Sequence, residues 1–410
     1  MSIPQTKVEV GFDLTETGTG PYLTLDNPVS GKLDDPNWLL GGTLFFDITN
    51  RVKSVSIQRG KNRETDTYDQ GLANVVFNNN DRAFDPTFED SPFYGQIIPK
   101  REIRISHNDR FSYRGLIDDW NLDYNSVNDA TASAAAADAI SFFAGQTLTG
   151  GTQTPQKSGE RVNAILNDPS VAWPESSRLI DTGGQTLGAD VIEPGTNALE
   201  YLRLIEQSEP GAFFIGREGD VVFLDRTVAA TSGGVVLADD GTGIKWNTAK
   251  VVYGSEQLYN EIEISSVITG GTATAIDVNS QNEYGISNLT RSNLLIATTE
   301  ACSELAEFYA QKYSQPEYRF DSVTMMLNEI SEAEANQILD LEIGSVVQIK
   351  FTPSGIPPAI VRYAEVIGIE HSVLPTQHEV VLKFSTLDFT LLVLDDTQFG
   401  KLDAGNALAF

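Results

Sequence analysis

Residues 59–105 read RGKNRETDTYDQGLANVVFNNNDRAFDPTFEDSPFYGQIIPKREIRI and form the most specific stretch of the sequence. Its apolar residues alternate with polar ones in short runs, as in Glu102-Ile103-Arg104-Ile105, and the turn formers Asn, Asp and Ser-Pro separate the runs. Such period-two runs are typical of strands with one buried face. The alternation extends outward to residues 52–57 and 115–117. The pattern therefore predicts an antiparallel barrel or sandwich over residues 43–145.

The motifs of this stretch resemble those of the minor tail proteins of long-tailed phages. In that family an R-G motif leads a strand, and Arg59-Gly60 takes this place here. A G-x-A strand that ends at an Asn-Asp turn matches Gly71-Leu72-Ala73 and Asn80-Asp81. A loop of the S-P-Y-Y-G type matches Ser91-Pro92-Phe93-Tyr94-Gly95, and we expect Phe93 and Tyr94 to anchor this loop.

Residues 146–245 have a different pattern, which predicts a small mixed α/β module. Ser158 is expected to cap one helix, and a second helix is predicted from about Asn197 to Gln207. A hairpin follows, with its strands at residues 212–215 and 221–224. The second helix and the hairpin also resemble those of tail-hub proteins.

Residues 246–390 return to strands and include two predicted helices. One covers Thr299 to Tyr313, and the other begins at a capping box formed by Ser331 and Glu334. Three strands are expected after it. Two of them resemble the closing barrel of tail-hub proteins, where an L-x-x-G-D-x-V strand precedes a V-x-G-I-x-H strand. Ser345 stands where that family has Asp.

The resemblance implies a mainly β fold with an α/β insertion: two tail-tube-like antiparallel β-barrels, an inserted small α/β module and extended terminal arms. The expected order along the chain is an N-terminal arm at 1–42, a first barrel at 43–145, the module at 146–245, a second β-barrel region with helices at 246–390 and a C-terminal arm at 391–410. Asp138 is expected to cap a short helix where the first barrel ends.

The sequence contains no catalytic signature. It has no G-x-S-x-G elbow, no P-loop and no H-E-x-x-H helix, so we expect neither enzyme activity nor a cofactor. Cys302 is the only cysteine, and its place on the apolar stripe of a predicted helix indicates a buried core thiol. The oxygen-rich residues 78–85 lack the glycine and the distal glutamate of an EF-hand, which favours a turn over a calcium site.

His371 and His378 are the candidate metal ligands. A hairpin centred between Leu374 and Pro375 would set the two histidines opposite each other, close enough to share an ion. The neighbouring Glu370 and Glu379 would then lie on the other face. An ordinary hairpin pair is therefore favoured over a metal site.

The charge of the chain argues against binding to the DNA backbone. The formal net charge is -29, from 28 Lys and Arg against 57 Asp and Glu. The excess is uneven: residues 51–114 carry 11 basic and 9 acidic side chains, whereas residues 115–410 carry 15 and 41. This predicts a well-solvated surface, and a channel wall that DNA passes without being bound. The sequence lacks an apolar run of membrane-spanning length, so we expect no insertion into a membrane. It also lacks a secretory signal, so we expect the protein to be assembled in the host cytoplasm.

A short motif occurs once in each predicted arm. Residues 25–34 read LDNPVSGKLD and residues 394–403 read LDDTQFGKLD, with six of ten positions identical. A common turn would explain the repeat without any shared function. The alternative is that both arms dock on equivalent partner sites. The residues predicted to bind the partner are then Leu25, Asp26, Gly31, Leu33, Asp34, Leu394, Asp395, Gly400, Leu402 and Asp403.

The function that the resemblance implies is structural. We expect a virion tail-tip or baseplate hub that closes the tail tube and seats tip proteins or fibres. The expected partners are further copies of the chain in a homo-oligomer, most simply a trimer, and other tail-tip proteins: the distal tail ring, the tape measure, fibres or receptor-binding proteins. The alternatives are a distal tail ring protein, or a tail-associated protein that binds carbohydrate or degrades the cell wall.

Overall fold

A computed structural model describes residues 3–12, 44–126, 129–226 and 234–387, and its main feature is a 13-stranded sheet that runs through both predicted β regions. The mainly β fold class is therefore confirmed. The strands of the described residues are β1 Thr6–Phe12, β2 Leu44–Asp47, β3 Val52–Gly60, β4 Asp69–Asn78, β5 Glu102–His107, β6 Arg110–Ser126, β7 Asp129–Ala137, β8 Gly151–Gln153, β9 Gln156–Lys157, β10 Arg178–Ile180, β11 Thr186–Leu187, β12 Asp190–Ile192, β13 Ala212–Ile215, β14 Val221–Leu224, β15 Val235–Ala238, β16 Thr248–Tyr253, β17 Glu261–Ser266, β18 Thr272–Ile276, β19 Asn288–Leu294, β20 Tyr318–Met326, β21 Val346–Phe351, β22 Ile360–Leu374 and β23 Gln377–Thr386. The α-helices are α1 Ile140–Gly145, α2 Ser158–Leu166, α3 Ala198–Ser208, α4 Val278–Tyr284, α5 Thr299–Tyr313 and α6 Glu332–Leu339.

The first half of the large sheet has the order β3-β4-β7-β6-β5-β1-β2. Alternate residues of β4 from Gly71 to Phe77 are buried, as the period-two pattern requires. These side chains join buried residues of β1, β3, β5, β6 and β7 in one hydrophobic core. Phe84, from the loop between β4 and β5, stacks on Phe77 in this core, and Phe93 stacks on Phe84. Tyr94 is 46% exposed, so of these two aromatic residues only Phe93 packs against the core.

Strand β1 corrects the prediction for the N-terminal arm. The arm was expected to cover residues 1–42, yet Thr6–Phe12 pairs with β5 on one side and β2 on the other. Val8, Val10 and Phe12 are fully buried, because their side chains fill the first core.

The second half of the sheet has the order β16-β20-β23-β22, with β21 paired to β22 and β15 paired to β21. Its core is separate from the first and includes buried residues of α6. The predicted capping box is confirmed: the Glu334 N–H donates to Ser331 Oγ, and the Ser331 N–H donates to Glu334 Oε2 at 2.8 Å. The two halves form one continuous sheet, because β22 pairs with β21 through its first residues and with β3 through Gly368–Val373.

The α/β module contains α2, α3 and the predicted hairpin, which the structure confirms as β13 and β14. Helix α1 also packs in its core, so the module begins before residue 145, where the first barrel was predicted to end. The core of the module includes Phe143, Val162, Leu202 and Phe213. The expected cap of α2 is wrong: Ser158 lies inside the helix, and its hydroxyl donates to Glu209 Oε2 at 2.6 Å.

A second part of the chain packs on this module and corrects the predicted bounds of the second barrel. Strands β17, β18 and β19 form their own three-stranded sheet, covered by α5. Leu295 follows β19 and lies in the core of the α/β module. The helix predicted at Thr299–Tyr313 is confirmed, and its residue Cys302 is fully buried. Residues 261–313 thus interrupt the second half of the large sheet between β16 and β20.

The R-G motif lies where the parts of the chain meet. Gly60 has φ +94°, and a Cβ at this position would collide with the Ile367 carbonyl and lie 2.6 Å from Gly368 Cα. The Arg59 guanidinium donates to the carbonyl of Ile215 in the module and to Glu342 Oε1 beside the second half. The motif therefore joins β3 to β22 and ties both to the module.

Candidate functional site

The two predicted histidines lie on the hairpin of β22 and β23. The hairpin turns at Pro375 and Thr376, one position later than expected, so His378 pairs with Val373 and not with His371. The two histidines still share a face, because His371 and Val373 are two residues apart on the same strand. Their rings meet diagonally, with His371 Nδ1 3.0 Å from His378 Nε2.

A third histidine, which the sequence analysis missed, completes the group. The ring of His107 at the end of β5 lies 5.2 Å from that of His371 and 4.4 Å from that of His378, between centroids. One ring nitrogen from each histidine lies within 4.8 Å of the other two. We call His107, His371 and His378 the histidine cluster; it contains every histidine of the chain. No spacing in the sequence relates His107 to the hairpin, since 264 residues separate it from His371.

The histidine cluster lies where β5 of the first half meets the hairpin of β22 and β23, and we call this contact the seam. Strands β5 and β22 are five places apart in the order β22-β3-β4-β7-β6-β5, yet their histidine rings stack on each other. A sheet can bring such distant strands together only by curling on itself, as in a barrel. Close by, the side-chain amide of Asn108 donates to Asn336 Oδ1 of α6 at 2.8 Å. The histidine cluster therefore joins the first β half to the returning hairpin.

Burial keeps the three imidazoles neutral. Loss of solvent lowers the pKa of His107 and of His371 well below the usual value, and it lowers the pKa of His378 to about 4. A neutral imidazole has one N–H donor and one lone pair, so each ring can both donate and accept. Thr6 Oγ1 of β1 lies 3.0 Å from His107 Nδ1. Among the described residues, His107 Nε2 and His378 Nδ1 are buried without a hydrogen-bond partner.

The other candidates from the sequence are structural. In residues 78–85 the side-chain oxygens bind backbone N–H groups: Asn79 Oδ1 accepts from Phe84, and Asn78 Oδ1 accepts from Asn80. Asp85 binds Arg82 and Thr87. These contacts are those of turns. Burial raises the pKa of the Cys302 thiol, which agrees with its prediction as a core residue.

The predicted partner-binding residues lie outside the described residues, in 13–43 and 388–410; they are Leu25, Asp26, Gly31, Leu33, Asp34, Leu394, Asp395, Gly400, Leu402 and Asp403. Among the helices that the structure describes, none is long and apolar enough to span a membrane.

Solved structures identify the architecture. The chain matches the 43 kDa tail protein of prophage MuSo2 from Shewanella oneidensis with a TM-score of 0.57 and 14% identity, over 84% of this chain and 96% of that one. It matches the tail protein from Neisseria meningitidis MC58 with a TM-score of 0.59 and 10% identity, over 93% of this chain and 97% of that one. The chain has the fold of phage tail proteins. No protein-family model and no curated protein matches the sequence, so the likeness to the tail proteins is one of fold.

Proposed function

We propose that the chain is a structural protein of a phage virion, a tail-tip or baseplate hub that closes the tail tube and seats tip proteins or fibres. The observation that carries the proposal is the match to two tail proteins over nearly their whole lengths. The continuous 13-stranded sheet supports it, because a rigid β wall with two barrel-like halves suits the end of a tube. The site of action is then the virion tail tip, after assembly in the host cytoplasm.

The proposed oligomer is a trimer. Each chain offers two β halves, so three chains present six similar faces and match a six-fold tail tube through a closed ring of heterologous contacts. Native mass spectrometry of the purified full chain at micromolar concentration tests this. Three copies are expected. Six copies would favour a distal tail ring protein, and stable monomers alone would count against the hub.

The proposed role is not enzymatic. The sequence carries no catalytic signature, and the three histidines are buried, out of reach of a polysaccharide. A cell-wall degradation assay on the purified chain separates the hub from a tail-associated hydrolase. Clearing of cell walls, absent from a heat-denatured control, would contradict the structural role.

The acidic excess after residue 115 is proposed to keep the channel from holding DNA. A polyanion is repelled by a negative wall at short range, and physiological salt screens this beyond about 8 Å. Duplex DNA on a column at low salt should not retain the protein. Retention would contradict this account of the channel.

The repeated LD…GKLD motif is proposed to dock each arm on a partner, which would be a fibre, the adjacent ring or a neighbouring subunit. Leu402→Asp should weaken assembly of the oligomer or of tail tips. Its fold should stay intact, as judged by circular dichroism. Leu33→Asp is the matched variant in the other arm, and Lys32→Asp tests charge alone. Wild-type assembly by both leucine variants would leave the motif as a turn without a partner.

A further inference from the structure

The histidine cluster has a chemistry that a hub does not require. Three imidazoles, the only ones in the chain, converge in a buried position on the seam between β5 and the hairpin of β22 and β23. We propose that the histidine cluster binds one divalent transition-metal ion, zinc being the best chemical fit, and that this ion fastens the seam of the first β half.

The donor set selects the class of ion. Imidazole nitrogens are ligands for zinc, copper, nickel and iron, whereas calcium and magnesium require oxygen. The group contains three histidines and no carboxylate or thiolate. Three imidazoles with one further position is a known arrangement for zinc, and a water can fill the fourth place.

The distances suit such an ion after a small closure. Zinc binds imidazole nitrogen at about 2.0–2.1 Å, so two ligand atoms on one ion lie roughly 3–3.4 Å apart. His371 Nδ1 and His378 Nε2 are already 3.0 Å apart. One ring nitrogen of His107 lies within 4.8 Å of the other two ligand atoms, so it must move inward by up to about 1–2 Å when the ion binds.

The hydrogen bonds around His107 prepare its ligand atom. Metal-bound histidines usually donate their second N–H to a nearby oxygen, which fixes the tautomer. Thr6 Oγ1 is placed to accept from His107 Nδ1. The lone pair of His107 then lies on Nε2, the buried atom that has no partner among the described residues. Because a buried polar atom without a partner is costly, an ion here would remove a defect.

The position of the ion gives it a consequence. His107 comes from β5, and the other two ligands come from the hairpin of β22 and β23, the last two described strands along the chain. An ion would therefore cross-link segments that are distant along the chain. Since the unfolded chain offers no such preformed site, the binding free energy would stabilise the folded state.

The experiment uses the full chain without a polyhistidine tag. Its zinc content is measured by mass spectrometry of the metal, and its affinity by competition with a chromogenic chelator. The variants are His371→Gln, which removes a ligand, and Thr6→Val, which keeps all three rings but removes the hydroxyl. Ser372→Ala is the matched control, because Ser372 is the exposed neighbour on the same strand.

We expect about one zinc per chain in the wild type and in Ser372→Ala, and a rise of Tm with added zinc that EDTA reverses. His371→Gln should bind at least about 100-fold more weakly, and Thr6→Val about 10–100-fold more weakly, as changes around a metal site usually do. Zinc that stays below 0.1 per chain in the wild type, or an equal affinity in the wild type and Thr6→Val, overturns the proposal. The histidine cluster would in that case be a hydrogen-bonded group of buried imidazoles. Because Thr6→Val retains every ring, the test decides even where His371→Gln fails to fold.

Discussion

Replacing Arg59 with methionine tests whether the R-G motif ties the three parts of the chain together. Arg59→Met keeps most of the aliphatic length and removes the guanidinium. Two interactions are lost: the bond to the Ile215 carbonyl at 3.0 Å and the ion pair with Glu342 Oε1 at 2.8 Å. The Arg59 side chain is 5% exposed, so water cannot replace the lost donor at the Ile215 carbonyl.

The expected loss in the free energy of unfolding is about 3 kcal/mol. A buried hydrogen bond with a charged partner contributes about 1.5–3 kcal/mol. The ion pair adds no more than about 1 kcal/mol, because Glu342 is 26% exposed and is screened by solvent. Glu342 also keeps the N–H groups of Arg217 and Ile343 as donors. Removal of a buried charge offsets part of the loss.

Urea unfolding followed by tryptophan fluorescence and circular dichroism measures this loss. Lys53→Met is the matched control, since Lys53 is an exposed residue of the same strand and should change stability by less than about 0.5 kcal/mol. A double-mutant cycle with Glu342→Gln separates the ion pair from the bond to Ile215. A loss below about 1 kcal/mol in Arg59→Met, or a loss equal to that of the control, would refute the reasoning.

Two further predictions concern residues near the same region. Gly60→Ala should lower the free energy of unfolding by at least about 2 kcal/mol, because the strain of a positive φ and the collision with the Ile367 carbonyl add. Gly95→Ala, at φ +74° in open space, should lower it by only about 1 kcal/mol. Equal losses in urea unfolding would contradict the collision at Gly60. Burial raises the pKa of Asp138 to about 6, so its folded form holds a proton that the unfolded form has released between about pH 4 and 6. The free energy of unfolding of the wild type, relative to that of Asp138→Asn, should therefore fall by up to about 3 kcal/mol as the pH rises from about 4 to 6, and it should stay constant above pH 6. A difference between the two proteins that does not change with pH would contradict the raised pKa of the buried carboxyl.

The sequence predicted elements whose signals are local. The helix at Thr299–Tyr313, the capping box at Ser331 and the hairpin of β13 and β14 each depend on contacts between residues close along the chain. Periodicity, caps and turn formers record such contacts directly. Ser158 shows the limit even at this scale, because a distant carboxylate, Glu209, binds the hydroxyl that was expected to cap α2.

The rest depends on contacts between distant segments. In the sequence, strand β1 falls in the predicted extended arm, and only its pairing with β5 and β2 shows it to be part of the sheet. His107 has no relation in the sequence to the hairpin of β22 and β23, and only the curl of the sheet brings the three rings together. Strands β17–β19 lie within residues 246–390, which were predicted as one β-barrel region, yet they form a sheet of their own. Alternation reports that a strand has one buried face, and it does not report which core that face covers.

Strand β22 connects the R-G motif with the histidine cluster, because both contact this strand. The register of β22 against β23 shifts between Val366 and Gly368, where β22 has ended its pairing with β21 and begins to pair with β3. At this crossing Gly60 and Gly368 approach so closely that neither can be replaced by a larger residue without moving the strands apart. Three residues beyond Gly368, His371 reaches the seam. A shift of β22 at the crossing would therefore displace His371 from His107 and loosen the first half. The two β halves are thus joined at β22 both by backbone pairing with β3 and by the contact of His371 with His107.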